Sequence, residues 1–196
     1  LAELLLSQRI KVNKDNKDKV EVLDASPTGD AVMDEALQKI AKKKKPDTLK
    51  NWVMAIGTIK ELRHKIALQL VEDGIIKADE RKILWIFTQK IYPEVNPQPE
   101  EQLKRELRRL VLDKPLEIDP KYTLLLALAK SAILLNQVFS KDELKQHKKR
   151  IEQIAKGDEL GALTSEVIEG VQAAIMVAVM MPAMSVASPP IWRART

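Results

Sequence analysis

Lys60, Arg63 and His64 fall at i, i+3 and i+4, with Lys65 beside them. On a helix this spacing puts the first three on one face. There a guanidinium is a two-pronged donor and an ammonium a point charge, the chemistry that grips a phosphate. The same spacing also describes the solvated side of an amphipathic helix, so the residues alone leave both readings open. Further along runs Leu84-Trp85-Ile86-Phe87, in a chain with three tryptophans and two phenylalanines, so one of each is spent within four adjacent positions. In a hairpin, alternate residues of the 83–87 segment face opposite sides. If one side packs on the protein, the other shows large apolar groups to water unless a partner or a bilayer covers it. A strand buried on both faces is the alternative. Arg81, Lys82 and Lys90 flank the run and favour an anionic bilayer.

Enzymatic chemistry finds no foothold in the pattern. The sequence carries no Gly-rich phosphate loop, nucleophile elbow or His-Glu-x-x-His, and His64 and His147 lie far apart among lysines. The absence of cysteine excludes thiol catalysis, Cys-ligated zinc and disulfides. No catalytic residue, metal or cofactor is therefore expected. The net charge of +5 favours phosphate-bearing partners without choosing between lipid and nucleic acid. Lys104, Arg105, Arg108 and Arg109 interleave with Glu100, Glu101 and Glu106, which reads as intrahelical pairing. Lys42 to Lys45 reads as a solvated helix end that adds long-range attraction to an anionic surface.

The elements that would position these residues are mostly helical, because apolar residues recur three and four apart. A helix is predicted from Asp30, a capping residue, to the lysine run before Pro46, with Met33, Leu37 and Ile40 inside. A second places Leu49, Trp52, Val53 and Ile56 on one side and closes at Gly57. The helix carrying the basic residues is predicted from Thr58 to Asp73, burying Ile59, Leu62, Ile66 and Leu70 and ending at Gly74. Beyond Gly74 a β-hairpin is predicted, with its turn at Lys77–Arg81 and its end at Pro93. Then come a helix with Leu103, Leu107 and Leu110 inside, and a helix at 119–139 apolar nearly all round, as expected at the centre of a bundle. Helices at 141–155 and about 160–181 follow. Ile10–Val12 and Val20–Leu23 are predicted to pair as a second small hairpin. The fold expected is mainly α: one domain over residues 1–181, a helical bundle around a central apolar helix with one or two β-hairpins, and a flexible tail at 182–196. The apolar run of the last helix is shorter than the ~20 residues a membrane span needs, and the first residues read as a piece of helix, not a signal peptide.

The segment Ser26-Pro27-Thr28-Gly29-Asp30, followed by Met33-Asp34-Glu35-Ala36-Leu37, resembles the Ala-Pro-Thr-Gly-Asp and Leu-Asp-Glu-Ala-Leu of the Golgi phosphoprotein 3-like family. The similarity runs collinearly through "NWV", "LRHKIALQLVEDGII", "VLDKP" and "LLLALAKSAILL", from about Leu1 to Val179. The resemblance implies a mostly helical domain that binds phosphatidylinositol 4-phosphate on a membrane and, in eukaryotic members, an adaptor that keeps glycosyltransferases in the Golgi. It implies headgroup contacts at Lys60 and Arg63, with His64 beside them, and membrane insertion or self-association at Leu84, Trp85, Ile86 and Phe87. It also places a tryptophan and an arginine of the family's pocket upstream of the position matching Leu1, which implies an N-terminal truncation. The short connection at Ile56-Gly57-Thr58 resembles a bacterial homologue, for which the native headgroup would be another anionic lipid.

The function expected is thus a non-enzymatic peripheral membrane protein on the cytoplasmic face of a membrane, with an anionic phospholipid, a membrane-protein cargo and a second copy of itself as partners. Nucleic acid is not expected. The alternative is a winged-helix-like nucleic-acid-binding protein, since helix followed by hairpin in a basic chain mimics that motif. A DNA-contacting wing, however, should carry Lys, Arg or Gly at its tip.

Overall fold

The computed structural model describes residues 1–83, 87–115, 118–158 and 170–176; the side chains at 14, 81–83, 87 and 88 are not described. In chain order the elements are α1 (Ala2–Leu6), β1 (Ile10–Asn13), β2 (Lys19–Val22), α2 (Ala31–Ala41), α3 (Leu49–Gly57), α4 (Leu62–Glu72), β3 (Asp79–Ile83), β4 (Phe87–Ile91), α5 (Gln98–Leu112), α6 (Pro120–Ser131), α7 (Lys141–Gln146) and α8 (Lys148–Lys156). Residues 170–176 are helical. This is the mainly α bundle with two small hairpins expected from the sequence. Most of the expected 160–181 helix and the 182–196 tail lie outside the described residues. No helix among the described residues is long and apolar enough to cross a membrane.

The Ser-Pro-Thr-Gly-Asp segment is a helix-starting device. The Asp30 carboxylate accepts from the N–H groups of Val32 and Met33, both at 2.8 Å, satisfying first-turn donors that have no intrahelical partner. Gly29 supplies the positive φ of +86° that turns the chain into this cap. Thr28 donates to Asp34 from its N–H and its hydroxyl, at 2.6 and 2.7 Å, and these bonds hold the Asp34 carboxyl below its ordinary range. Arg9 secures the approach by binding Asp24 and the Ser26 and Pro27 carbonyls. β1 and β2 pair antiparallel with Ile10 opposite Val22, and Val20 N–H donates to the Asp47 carbonyl at 2.8 Å.

Two apolar clusters form the core, and α6 serves both. Leu124 and Ala127 pack with Leu4, Leu37, Leu49 and Trp52, whereas Leu126 packs with Leu107, Leu110 and Ile154. A helix apolar nearly all round is what such a position requires.

Several boundaries differ from the sequence expectation. α2 stops at Ala41, short of Pro46. α6 ends at Ser131 because Leu134 N–H donates to the Ala129 carbonyl and Ile133 N–H to that of Lys130, the bonding of a Schellman end. Ile133 occupies the left-handed position of that end, at φ +60° and 81% exposed, where a β-branched residue is strained. The helix expected at 141–155 is two, broken at His147. Each half is fastened to a different part of α5: Glu143 of α7 takes Arg108 at 2.6 Å, and Arg150 of α8 donates to the Leu110 and Val111 carbonyls. Ile66 and Leu103, expected inside, are exposed at their helix surfaces. The hairpin turn is not at Lys77–Arg81. Asp79 to Ile83 form β3, with Asp79 opposite Ile91 and Ile83 opposite Phe87. This register puts Glu80 opposite Lys90, a favourable cross-strand charge pair that a turn at 77–81 would forfeit.

The strained end of α6 gives a direct check. Replacing Ile133 with Gly removes the left-handed penalty and little burial, so urea unfolding should show a gain of about 1 kcal/mol. A loss of stability would show that the Ile133 side chain makes contacts the native state needs.

Candidate functional site

α4 and the β3–β4 hairpin contribute none of the described residues in either apolar cluster. Lys65 forms an ion pair with Glu35 of α2. Gly29 and Asp30, at the start of α2, lie across a groove from Gln69, Leu70 and Asp73 near the end of α4. With Glu35 meeting Lys65, these contacts set α2 and α4 antiparallel, so the end of α2 next to the exposed Lys39 and Lys42 lies toward the start of α4. Gly74, at φ +69°, ends α4 in a Schellman turn, with Ile75 N–H on the Leu70 carbonyl. The chain then enters the hairpin through Lys77 N–H to the Pro93 carbonyl and Val95 N–H to that of Ile75, each 2.9 Å.

The sequence-predicted basic face is rearranged at Glu61. That residue sits at φ +56°, in the left-handed region, immediately before α4, and supplies no side-chain cap. The helix therefore begins at Leu62, and Lys60 lies in the preceding turn, not on a face shared with His64. Lys60 and Arg63 are exposed, and neither forms an ion pair among the described residues. An uncapped start leaves the first-turn N–H groups of Arg63 and His64 without a side-chain acceptor, and the positive end of the helix dipole favours an anion there.

His64 joins the helix to the hairpin. Its Nδ1 meets the Tyr92 hydroxyl, the two rings lie 6.0 Å apart at 43°, and its Nε2 lies 3.4 Å from the Lys90 Nζ. An ammonium only donates, so Nε2 is the acceptor and the ring proton sits on Nδ1, donated to the phenol oxygen of Tyr92. Burial, and then the neighbouring Glu61 carboxylate, raise the Tyr92 phenol above its ordinary range, so it stays protonated. No local pattern signals this link, because His64 and Tyr92 are 28 positions apart.

Leu84, Trp85 and Ile86 connect β3 to β4 and lie outside the described residues; Phe87 opens β4 as the partner of Ile83. The other basic sets are largely spoken for. Lys104 pairs with Glu100 at 2.6 Å, Arg109 with Glu106 at 3.1 Å, and Arg105 with Glu101 at 3.9 Å, as the interleaving predicted. Arg108 instead takes Glu143, whose carboxyl it helps hold down at about 2. Within the lysine run, Lys43 pairs with Asp47 and lies 5.1 Å over the Trp52 ring.

Comparison with known proteins adds two findings. The family model described as Golgi phosphoprotein 3 (GPP34) matches residues 1–173. Vacuolar protein sorting-associated protein 74 of Eremothecium gossypii is 27% identical over 137 residues, which cover 60% of this chain and 41% of that protein. The chain thus spans well under half the length of this curated relative.

The tautomer assigned to His64 is measurable. Long-range proton–nitrogen NMR correlations at about pH 8, where an imidazole is ordinarily neutral, should show Nδ1 protonated and Nε2 bare. Tyr92→Phe should shift the ring toward the other tautomer. A native Nε2–H form would contradict the geometry.

Proposed function

The chain belongs to the Golgi phosphoprotein 3 family, and we propose that it is a peripheral membrane protein that docks on anionic phospholipid, with phosphatidylinositol 4-phosphate as its headgroup. Lys60 and Arg63, with His64, are the headgroup contacts, and the apolar residues Leu84 to Phe87 enter the bilayer. The observation that carries this reading is the junction at His64. Two exposed cations at the start of α4, neither in an ion pair among the described residues, are tied through the very next side chain to the strand that follows the Leu-Trp-Ile-Phe run. Both devices then belong to one body that meets a surface as a unit.

The magnitudes favour joint action. A basic residue near an anionic bilayer contributes ~1 kcal/mol, and burying one large apolar side chain roughly 1.5–3 kcal/mol. Neither device anchors firmly alone, whereas their sum does. Lys39, Lys42, Lys44 and Lys45 add unspecific attraction from the end of α2.

As in the family resemblance, the docked protein acts as an adaptor on the cytoplasmic face, holding a membrane-protein cargo, with self-association through the same hairpin. The name of the Eremothecium gossypii relative, a protein associated with vacuolar protein sorting, agrees in kind with a role in membrane traffic. A bacterial origin rests on the short 56–58 connection alone and draws no support from that relative, so the phosphoinositide remains the headgroup proposed. The charges of the hairpin do not separate lipid from nucleic acid, since Asp79 and Glu80 stand beside Arg81, Lys82 and Lys90; the apolar Leu84-Trp85-Ile86-Phe87 run, where a DNA-contacting wing would carry Lys, Arg or Gly, favours lipid.

Vesicle sedimentation tests the reading. The protein should pellet with vesicles containing phosphatidylinositol 4-phosphate and detach as salt rises. Lys60→Ala with Arg63→Ala should weaken binding about tenfold or more, and Trp85→Ser should do so at every salt concentration. Unchanged binding in the double variant would overturn the headgroup assignment, and tighter binding to duplex DNA than to vesicles would move the protein to the winged-helix class.

A further inference from the structure

The contact between Lys90 and His64 is an unusual one to build into an anion-binding face. Lys90 spends an ammonium on a ring nitrogen 3.4 Å away, although Glu80 stands opposite it on β3. The contact exists only while Nε2 is bare. A proton arriving at Nε2 removes the acceptor and sets imidazolium against ammonium. The second proton has no other place to go, because Nδ1–H is already committed to Tyr92. Protonation therefore acts at the one nitrogen that faces Lys90.

Resting on the membrane-docking reading above, we infer that His64 makes headgroup binding proton-coupled. Neutral, it holds Lys90 against α4; protonated, it releases Lys90 and turns Nε2–H into a donor to a phosphate monoester. The step balances simply: one proton from solvent is added to Nε2, the Lys90–His64 hydrogen bond is lost, and hydrogen bonds from Nε2–H and from Lys90 to phosphate oxygens are gained. The Nδ1–H bond to Tyr92 is kept in both states and fixes the ring plane.

The surrounding charges explain why an anion is needed. From the hairpin, Lys90 and Tyr92 face the ring. From the start of α4 come Arg63 and the Glu61 carboxylate, which also acts on Tyr92. Lys60 precedes them in the turn, and Lys65 follows but is neutralised by Glu35 of α2. A proton on Nε2 adds a cation beside Lys90, Arg63 and Lys60, against the carboxylates of Glu61 and of Glu80, which stands opposite Lys90 on β3. A phosphate monoester, approaching two negative charges at neutral pH, converts that repulsion into attraction. A phosphodiester or a carboxylate brings a single charge and compensates less, so proton coupling also selects for a monoester headgroup.

The sign follows from linkage. A group that binds a proton more tightly in the complex than in the free protein makes binding stronger as pH falls. The ligand works in the opposite direction, because selecting a dianion releases a proton as pH falls toward its second ionisation at about 6.

The test is calorimetric titration of the full chain with vesicles containing phosphatidylinositol 4-phosphate, at about pH 7 in two buffers of different ionisation heat, which counts protons taken up. Sedimentation at about pH 6 and about pH 8 accompanies it, with phosphatidylserine vesicles of equal charge as the reference. The native chain should take up more protons than His64→Gln, and its affinity at the lower pH relative to the higher should exceed that of the variant about fivefold, the effect of one added charge about 4 Å from one phosphate charge at near-water dielectric. In His64→Gln, which keeps an acceptor for Lys90 and a donor for Tyr92 but takes no proton, that extra uptake should vanish and the ratio between the two pH values should collapse, whatever the absolute affinity. Proton uptake no greater in the native chain than in His64→Gln, or a ratio between the two pH values that survives in that variant, overturns this inference and leaves the docking reading intact. Absence of vesicle binding at both pH values overturns both.

Discussion

The architecture depends on α6 being buried on two sides at once. Leu124 and Ala127 close one apolar cluster and Leu126 the other. Each such leucine stabilises the fold by roughly 1.5–3 kcal/mol when taken fully out of water. A helix used this way has no free face, so it welds α1–α3 and the two small strands to α5, α7 and α8. Among the described residues α4 and the β3–β4 hairpin share in neither cluster. The Lys65–Glu35 ion pair ties α4 to α2, the His64–Tyr92 contact ties the hairpin to α4, and backbone hydrogen bonds close the hairpin's base.

That division of labour suits a surface that must work in water and against a bilayer. Polar contacts at a surface contribute modestly and respond to salt and pH, whereas the core does not notice either. Local opening of such a peripheral unit is less costly than global unfolding. The unit carrying the candidate headgroup residues is thus the part of the protein most able to adjust to what it touches, while α6 keeps everything behind it fixed.

Much of this was legible in the sequence where local rules decide. Asp30 as a cap, Gly74 as a helix end, the stripe of Leu37 and Ile40, and the pairing of Ile10–Val12 with Val20–Leu23 all follow from periodicity and turn chemistry. What the sequence could not disclose are contacts made across the fold. Arg108 looked like one more member of an intrahelical set, yet it crosses to Glu143, 35 positions away. His64 looked like a third cation beside Lys60, yet the left-handed Glu61 takes Lys60 off the helix and Tyr92 and Lys90 claim the imidazole. The hairpin register was missed for a related reason. A polar stretch such as Lys77–Arg81 reads locally as a turn, and only its backbone pairing with Phe87–Ile91 makes part of it a strand.

The central claim is that the start of α4 and the β3–β4 hairpin meet the same bilayer together. Hydrogen exchange of the full chain, with and without bilayers containing phosphatidylinositol 4-phosphate, tests it most directly. The account predicts slowed exchange on bilayers in both segments, 60–66 and 79–91, with α5 and α8 unchanged. Protection confined to one of the two, or appearing instead along α5, would contradict it.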